Sequence, residues 1–516
     1  MNDATLIVNA NLLLAGETGG EHIQKGWLSL REGLIHGIGS GQPPVEDATV
    51  IDAAGRTVLP GFIDNHFHTI ITAFHRVRVD FSNAHNFQEI GAILQDARPE
   101  AGRNVIIGVG LDYMELEEKR LPDRTVLDQY CSKMPLVIYS RDYHTLMLNT
   151  YAVLYFKTPL SLNGVELDTM GVPTGIFGKQ AGAKLDRIII QSATDDERLR
   201  AVENLTPSLL GRGITTMAAM EGENIKNSFD EDADSEFLLK YKDTSPLTMD
   251  IFYQTLDIDR VLRKGLRRIG GALYLDGTLG SRTAALRFDY ANTPGKWGML
   301  FFTQDDLNYF VRQCSELGLQ VALDAIGDAA IEMALCAFEH AAQTVDVRPL
   351  RHRIEHAELI DRQQMARAAA LGVILSMQPT YEGYWGEVGG TYQSRLGSHY
   401  GTTNNFRAIL DAGVMVCGGS DSDVTDFDPL LGIHWAVNHP IAANRATLME
   451  ALRMYTYNGA FALGREGELG SLAVGKKADI VMLDSDITTV PTDRLRNVQV
   501  DMTIKEGTIL FRRQYA

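Results

Sequence analysis

PGFIDNHFH, residues 60–68, decides the fold: an apolar run that starts at a Pro-Gly turn and ends on Asp64, His66 and His68. Such a run reads as a buried strand, and the polar residues at its end mark where the chain leaves the sheet. Seven later runs share this texture: GITTMAAMEG (213–222), MDIFYQTL (249–256), GALYLDG (271–277), LQVALDAIGD (319–328), RHRIEHAE (351–358), GVILSMQPT (372–380) and GVMVCGGSDSD (413–423). Amphipathic stretches such as AAIEMALCAFEHAAQ (329–343) and DRQQMARAAALG (361–372) lie between them. Strands alternating with helices give a parallel sheet, and eight strands are what a closed (β/α)₈ TIM-like barrel needs. An open doubly wound sheet is the alternative. The strand count and the polar strand ends favour the barrel.

Outside this centre both ends of the chain are β-rich. TLIVNANLLL (5–14), GWLSLREGLIHGIG (26–39) and TVIDAAGRTVLPG (49–61) open it; GSLAVGKKADIVMLD (470–484) and VQVDMTIKEGTILFRR (498–513) close it. Short β-branched runs punctuated by Gly, Asn and Asp are strands and turns. The expected plan is a small β-sandwich domain assembled from residues 1–59 and 462–516 around a barrel at 60–461. The first two barrel runs are too far apart for a simple βα loop. Residues of about 75–205, with strand-like VIIGVGLDY (105–113) and PLVIYSRDYHTLMLN (135–149), therefore form a large insertion, expected to pack over the barrel mouth.

Composition narrows the function. Of 516 residues 45% are hydrophobic and 22% charged, as in an ordinary globular protein. A net charge of −18 excludes a nucleic-acid surface, which needs clustered Lys and Arg. No stretch approaches the roughly 20 apolar residues of a membrane span. The N-terminus lacks a basic region followed by an apolar run and cleavage site. The four cysteines have neither zinc-knuckle nor redox spacing and read as free thiols. The expectation is a cytoplasmic protein acting on a small molecule, without nucleic-acid or membrane partners, and open to homo-oligomerisation.

His66 and His68 are two apart on a strand, so both face the barrel interior, and two neutral imidazoles at that pitch can chelate a divalent metal. Taken alone, two histidines on one face need mean nothing more. His356 ends a later run, however, and Asp421 follows Gly418-Gly419 at the end of the last. Barrel strands deliver their C-terminal ends to one mouth, where barrel enzymes place their catalysis. Elsewhere, Arg282 in DGTLGSR could fork onto a substrate carboxylate or simply tie down its loop. His144 could bond a substrate carbonyl, and Glu221 could add a carboxylate ligand. Asp328 reads as a helix cap.

The ordered set PGFIDNHFH, GITTM, DGTLGSR, AIGDAAI, RHRIEHAE, SMQPT, GGSD and GSLAVGKKADIVMLD resembles the amidohydrolase superfamily, most closely the branch of N-substituted formamide deformylases. The resemblance implies a barrel with a small β-sandwich, His66 and His68 as first-strand metal ligands, His356 as the sixth-strand ligand and Asp421 as the eighth-strand acid/base. Two positions depart from it. Ala272 stands where relatives usually have a carbamylated lysine that bridges two metals, and Asp324 stands where they have the fifth-strand histidine. Asp324 becomes either an oxygen ligand or a structural residue. One divalent metal is therefore expected: zinc first, with manganese or iron as alternatives. The expected reaction is hydrolysis of a C–N bond in a small amide, N-formyl or N-acyl compound by metal-activated water. Deamination of a heterocycle ranks second, because AIGDAAI lacks the usual glutamate. A barrel that has lost activity and serves as a binding protein is the alternative outside catalysis.

Overall fold

The computed structural model describes residues 4–14, 22–44, 47–99, 104–141, 145–158, 160–222 and 232–514. The chain divides into two compact units, one of Met1–Thr69 with Thr206–Ala516 and the other of Ile70–Leu205.

In the first unit the eight apolar runs are the eight strands of one parallel sheet: β1 (Phe62–Phe67), β2 (Ile214–Gly222), β3 (Thr248–Gln254), β4 (Arg268–Tyr274), β5 (Gln320–Ala325), β6 (Arg353–His356), β7 (Ile374–Met377) and β8 (Met415–Gly418). Each strand pairs in parallel with its neighbour in sequence. The edges meet beyond β8, where Phe67 bridges Ser422, the Asp421 amide donates to the His66 carbonyl (2.8 Å) and the His68 amide donates to the Ser422 carbonyl (2.9 Å). Near-continuous apolar runs are what such strands require, since both faces are covered.

The two amphipathic stretches are helices α1 (Asp328–Ala342) and α2 (Arg362–Leu371). A reciprocal capping box between Asp361 and Gln364 starts α2, and left-handed Gly372 ends it. Apolar residues of α1, among them Ile331, Leu335 and Phe338, share one buried core with Val321, Leu323 and Ile354 of β5 and β6. Asp328 is not the cap the sequence suggests. Gly327 occupies that position, and the Asp328 carboxylate takes the backbone amide (3.0 Å) and Nε (2.8 Å) of Arg287 instead.

The terminal segments form a single eight-stranded sheet in this unit. Thr57–Pro60 runs antiparallel to Ile480–Leu483, joining the N-terminal strands to the C-terminal ones. Ile7, Leu12, Leu28, Ile480 and Met502 supply its core. The sheet is tied to the barrel by Lys505, whose Nζ reaches Thr248 of β3 at 2.8 Å. The second unit, by itself, is a six-stranded sheet in the order Val165–Leu167, Pro173–Phe177, Leu146–Leu148, Leu136–Ser140, Ile106–Leu111 and Val79–Asp80, with two apolar cores. Among the described residues no helix is long and apolar enough to cross a membrane.

Phe338 is fully buried and stacks on His352 with ring centroids 4.9 Å apart. Phe338→Ala is expected to destabilise the barrel unit by about 3–5 kcal/mol, seen as a lower denaturant midpoint. An unchanged midpoint would contradict the packing described.

Candidate metal centre

The centre grows from the end of β1. His66 and His68 emerge on one face because strand side chains alternate. The loop after β8 is pinned against them by Asp64, whose Oδ1 accepts from the Ser420 amide (3.0 Å) and the His66 amide (3.2 Å). Burial pushes the Asp64 carboxyl up to about 6, against these amide bonds. The approach needs glycine at 419, where a Cβ would lie 2.6 Å from the His66 nitrogen. Asp421 follows in the left-handed region at φ +53, an uncommon conformation for a non-glycine residue that recurs at functional sites.

Ligand atoms of His66, His68 and Asp421 all lie within 4.8 Å of one another. Asp421 Oδ1 is 3.3 Å from His66 Nε2 and 3.1 Å from His68 Nε2. The ring orientations say what belongs between them. His66 Nδ1 lies 2.8 Å from Glu355 Oε2. Burial opposes the charge on Glu355, yet the Arg353 guanidinium and His66 hold its carboxyl down at about 2. An ionised carboxylate only accepts, so a neutral His66 keeps its proton on Nδ1 and turns the Nε2 lone pair inward. His66 Nε2 is buried without a hydrogen-bond partner. His68 Nδ1 lies 3.0 Å from the Met220 carbonyl, which also only accepts, so this ring, when neutral, likewise turns a lone pair inward. When these rings are protonated they hold the Asp421 carboxyl well below the usual range: burial opposes this, but His66, His68 and His356 outweigh it.

Two imidazole lone pairs and a carboxylate oxygen converging without a hydrogen between them repel one another unless a cation joins them. Either a proton on an imidazole or a metal ion answers that need. The donor set, two nitrogens and one oxygen, fits zinc, manganese or iron.

Of the other residues assigned from sequence, His356 and Asp324 lie beside this group. His356 ends β6 in the left-handed region at φ +68, its ring centroid 5.0 Å from that of His66. Its Nε2 faces Asp324 Oδ2 of β5 at 3.0 Å, and its Nδ1 faces Gln378 Oε1 at 2.7 Å. Burial disfavours charge on this ring, but Asp324 raises it well above the ordinary value. Asp324 and His356 thus stand beside the three-residue group as a pair turned towards each other. Ala272 is buried in β4 and offers no side-chain ligand. Glu221, at the end of β2, accepts the amide of Thr69 at the start of helix Thr69–Val77. Arg282, in the loop after β4, is half-buried with its Nε lacking a hydrogen-bond partner. His144 lies outside the described residues.

Arg353, Glu355 and Tyr381 also adjoin the group, with no role legible in the sequence. Arg353 donates Nε and Nη2 to Glu355 at 2.8 and 2.7 Å and lies over the Phe252 ring. A signal existed: Arg353 and Glu355 are two apart in a strand otherwise made to be buried, so their charges must answer each other inside the barrel. Tyr381, just beyond β7, donates its hydroxyl to Asp421 Oδ2.

The family model described as "Amidohydrolase family" matches residues 49–511, and the chain belongs to this family. It is 28% identical to N-substituted formamide deformylase of Arthrobacter pascens, with 90% of each chain covered. It is 25% identical to a putative amidohydrolase of Bacillus subtilis, covering 93% of this chain and 95% of the other. Among solved structures, an uncharacterized metal-dependent hydrolase from Pyrococcus furiosus superposes with a TM-score of 0.79 at 24% identity, over 94% of this chain and 99% of that one.

Asp421 raises the His68 imidazole against the effect of burial. A metal must displace the proton this ring holds at low pH. Metal affinity, measured by chelator competition, is therefore expected to rise with pH by up to about tenfold per unit until His68 is neutral. An affinity independent of pH would contradict the assigned ligand atoms.

Proposed function

We propose that the protein hydrolyses a C–N bond of a small amide, N-formyl or N-acyl compound, with one divalent metal ion, zinc first, held by His66, His68 and Asp421. The convergence of His66 Nε2, His68 Nε2 and Asp421 Oδ1 carries this reading. The name of the Arthrobacter pascens relative supports an N-formyl or N-acyl substrate. Ala272, in place of a bridging group, supports one ion. Asp324 and His356, bonded to each other beside these three residues, would serve as an outer pair, and would add ligands if their mutual hydrogen bond opened.

When bound, the ion supplies Lewis acidity, which polarises a carbonyl and lets water lose a proton near neutral pH. Asp421 Oδ1 takes the proton of the attacking water and returns it to the departing nitrogen, which must be protonated to leave. Glu355, anchored by Arg353, keeps the His66 proton on Nδ1 throughout. His356 is the residue proposed to stabilise the negative charge that grows on the carbonyl oxygen, through Nε2–H once it is released from Asp324 Oδ2. Arg282 and His144 are the residues proposed to grip the substrate, and Glu221 the residue proposed as a supplementary carboxylate.

The test is hydrolysis of a panel of N-formyl, N-acyl and cyclic amides by zinc-, manganese- and iron-loaded protein. Asp421→Asn is expected to lower kcat by about 10²–10⁴-fold with its circular dichroism unchanged. Turnover near wild type in that variant would contradict the role of Asp421, and no hydrolysis of any panel member with any metal would contradict the reaction.

A further inference from the structure

We propose that Tyr381 is a positioning residue of the metal centre: its hydroxyl holds Asp421 Oδ2, so that only Oδ1 is presented to His66 and His68. The inference rests on the reading of these three residues as metal ligands.

A carboxylate has two equivalent oxygens with about four lone-pair directions. Left alone, it can swing about its last bond and offer either oxygen, or both, to a cation. Here the two oxygens are sharply divided. Oδ1 faces both imidazoles, at 3.3 and 3.1 Å, while Oδ2 accepts the Tyr381 hydroxyl. The phenol is itself held in place. Its ring lies nearly parallel to that of His356, with 5.9 Å between centroids and 12° between planes. Trp385 packs edge-on against it at 4.6 Å. Tyr381 is only 5% exposed and opens the one-turn helix Tyr381–Tyr384, its amide donating to the Gln378 carbonyl at 3.0 Å.

Gln378 is the residue that faces His356 Nδ1. The single turn after β7 thus holds two neighbours of the centre, His356 through Gln378 and Asp421 through Tyr381. The Asp421 backbone is held by its amide's bond to the His66 carbonyl and by the Val424 amide's bond to its own carbonyl, but neither bond fixes the rotation of its carboxylate. Outer partners that orient a ligating carboxylate are typically worth about 10–100-fold in metal affinity or activity. With Oδ2 occupied, Asp421 meets the ion through one oxygen, and the same oxygen faces the water it must deprotonate.

Tyr381→Phe removes the hydroxyl and keeps the ring between His356 and Trp385. Cobalt(II) serves as the probe, because its visible absorption responds to ligand geometry. The variant is expected to bind cobalt about 10–100-fold more weakly in chelator competition and to show a shifted, weakened visible band. Its kcat is expected to fall with KM little changed, and the melting temperature of the metal-free protein to stay near that of the parent. Tyr381→His keeps a ring N–H that stops well short of the phenol oxygen, and is expected not to recover the affinity. Equal cobalt affinity and an unchanged spectrum in Tyr381→Phe would overturn the role of Tyr381 while leaving the metal centre intact. Failure of the parent protein to bind cobalt at all would overturn the metal reading and this inference together. Failure of both variants to fold would make the hydrogen bond a structural one and overturn the positioning role.

Discussion

A fully buried ion pair, Arg353 with Glu355, lies under the candidate metal centre and fixes its chemistry. Burying two charges costs several kcal/mol per ion, and a well-packed apolar pair of the same size is often as stable or more so. Stability alone does not explain why it is there. Its consequence is chemical. Glu355 Oε2 receives both Arg353 Nη2 and His66 Nδ1. It thereby dictates which nitrogen of His66 holds the proton and which faces the barrel mouth. Arg353 also donates to the Asn65 carbonyl and the Ser376 hydroxyl, tying β1, β6 and β7 together beneath the site. Fixing the tautomer of a ligating histidine through its second nitrogen is a general device of metal proteins.

Much of this was open to reading in the sequence. All eight barrel strands were visible because a strand covered on both faces is a short apolar run, and each run ended in polar residues that had to go somewhere. His66 and His68 were visible by their spacing, Asp421 by the glycines that let its loop approach β1. What could not be read was pairing across the barrel. Asp324 was recognisable as an oxygen where a nitrogen was expected, but its attachment to His356 depends on the register of β5 against β6, in which Ala325 pairs with His356. Tyr381 had no spacing to give it away, since it meets Asp421 across 40 residues of chain. Asp328 reads as a cap because it is a carboxylate at a helix start, whereas Arg287 engages its side chain.

The departures at Ala272 and Asp324 belong together. Without a side-chain ligand on β4, and with the β5 carboxylate turned to His356, negative charge and lone pairs are concentrated on one side of the mouth, at His66, His68 and Asp421. That distribution supports the proposal of a single cation. A bridging group and a second imidazole would instead have spread the same donors over two ions.

The central proposal is that three specific atoms hold one metal ion. Anomalous diffraction at the zinc edge, on crystals of the zinc-loaded protein, tests it most directly. The account predicts one strong peak per chain within bonding distance of His66 Nε2, His68 Nε2 and Asp421 Oδ1. Two peaks at the mouth, or a single peak bound by Asp324 and His356 but not by His66, would contradict it.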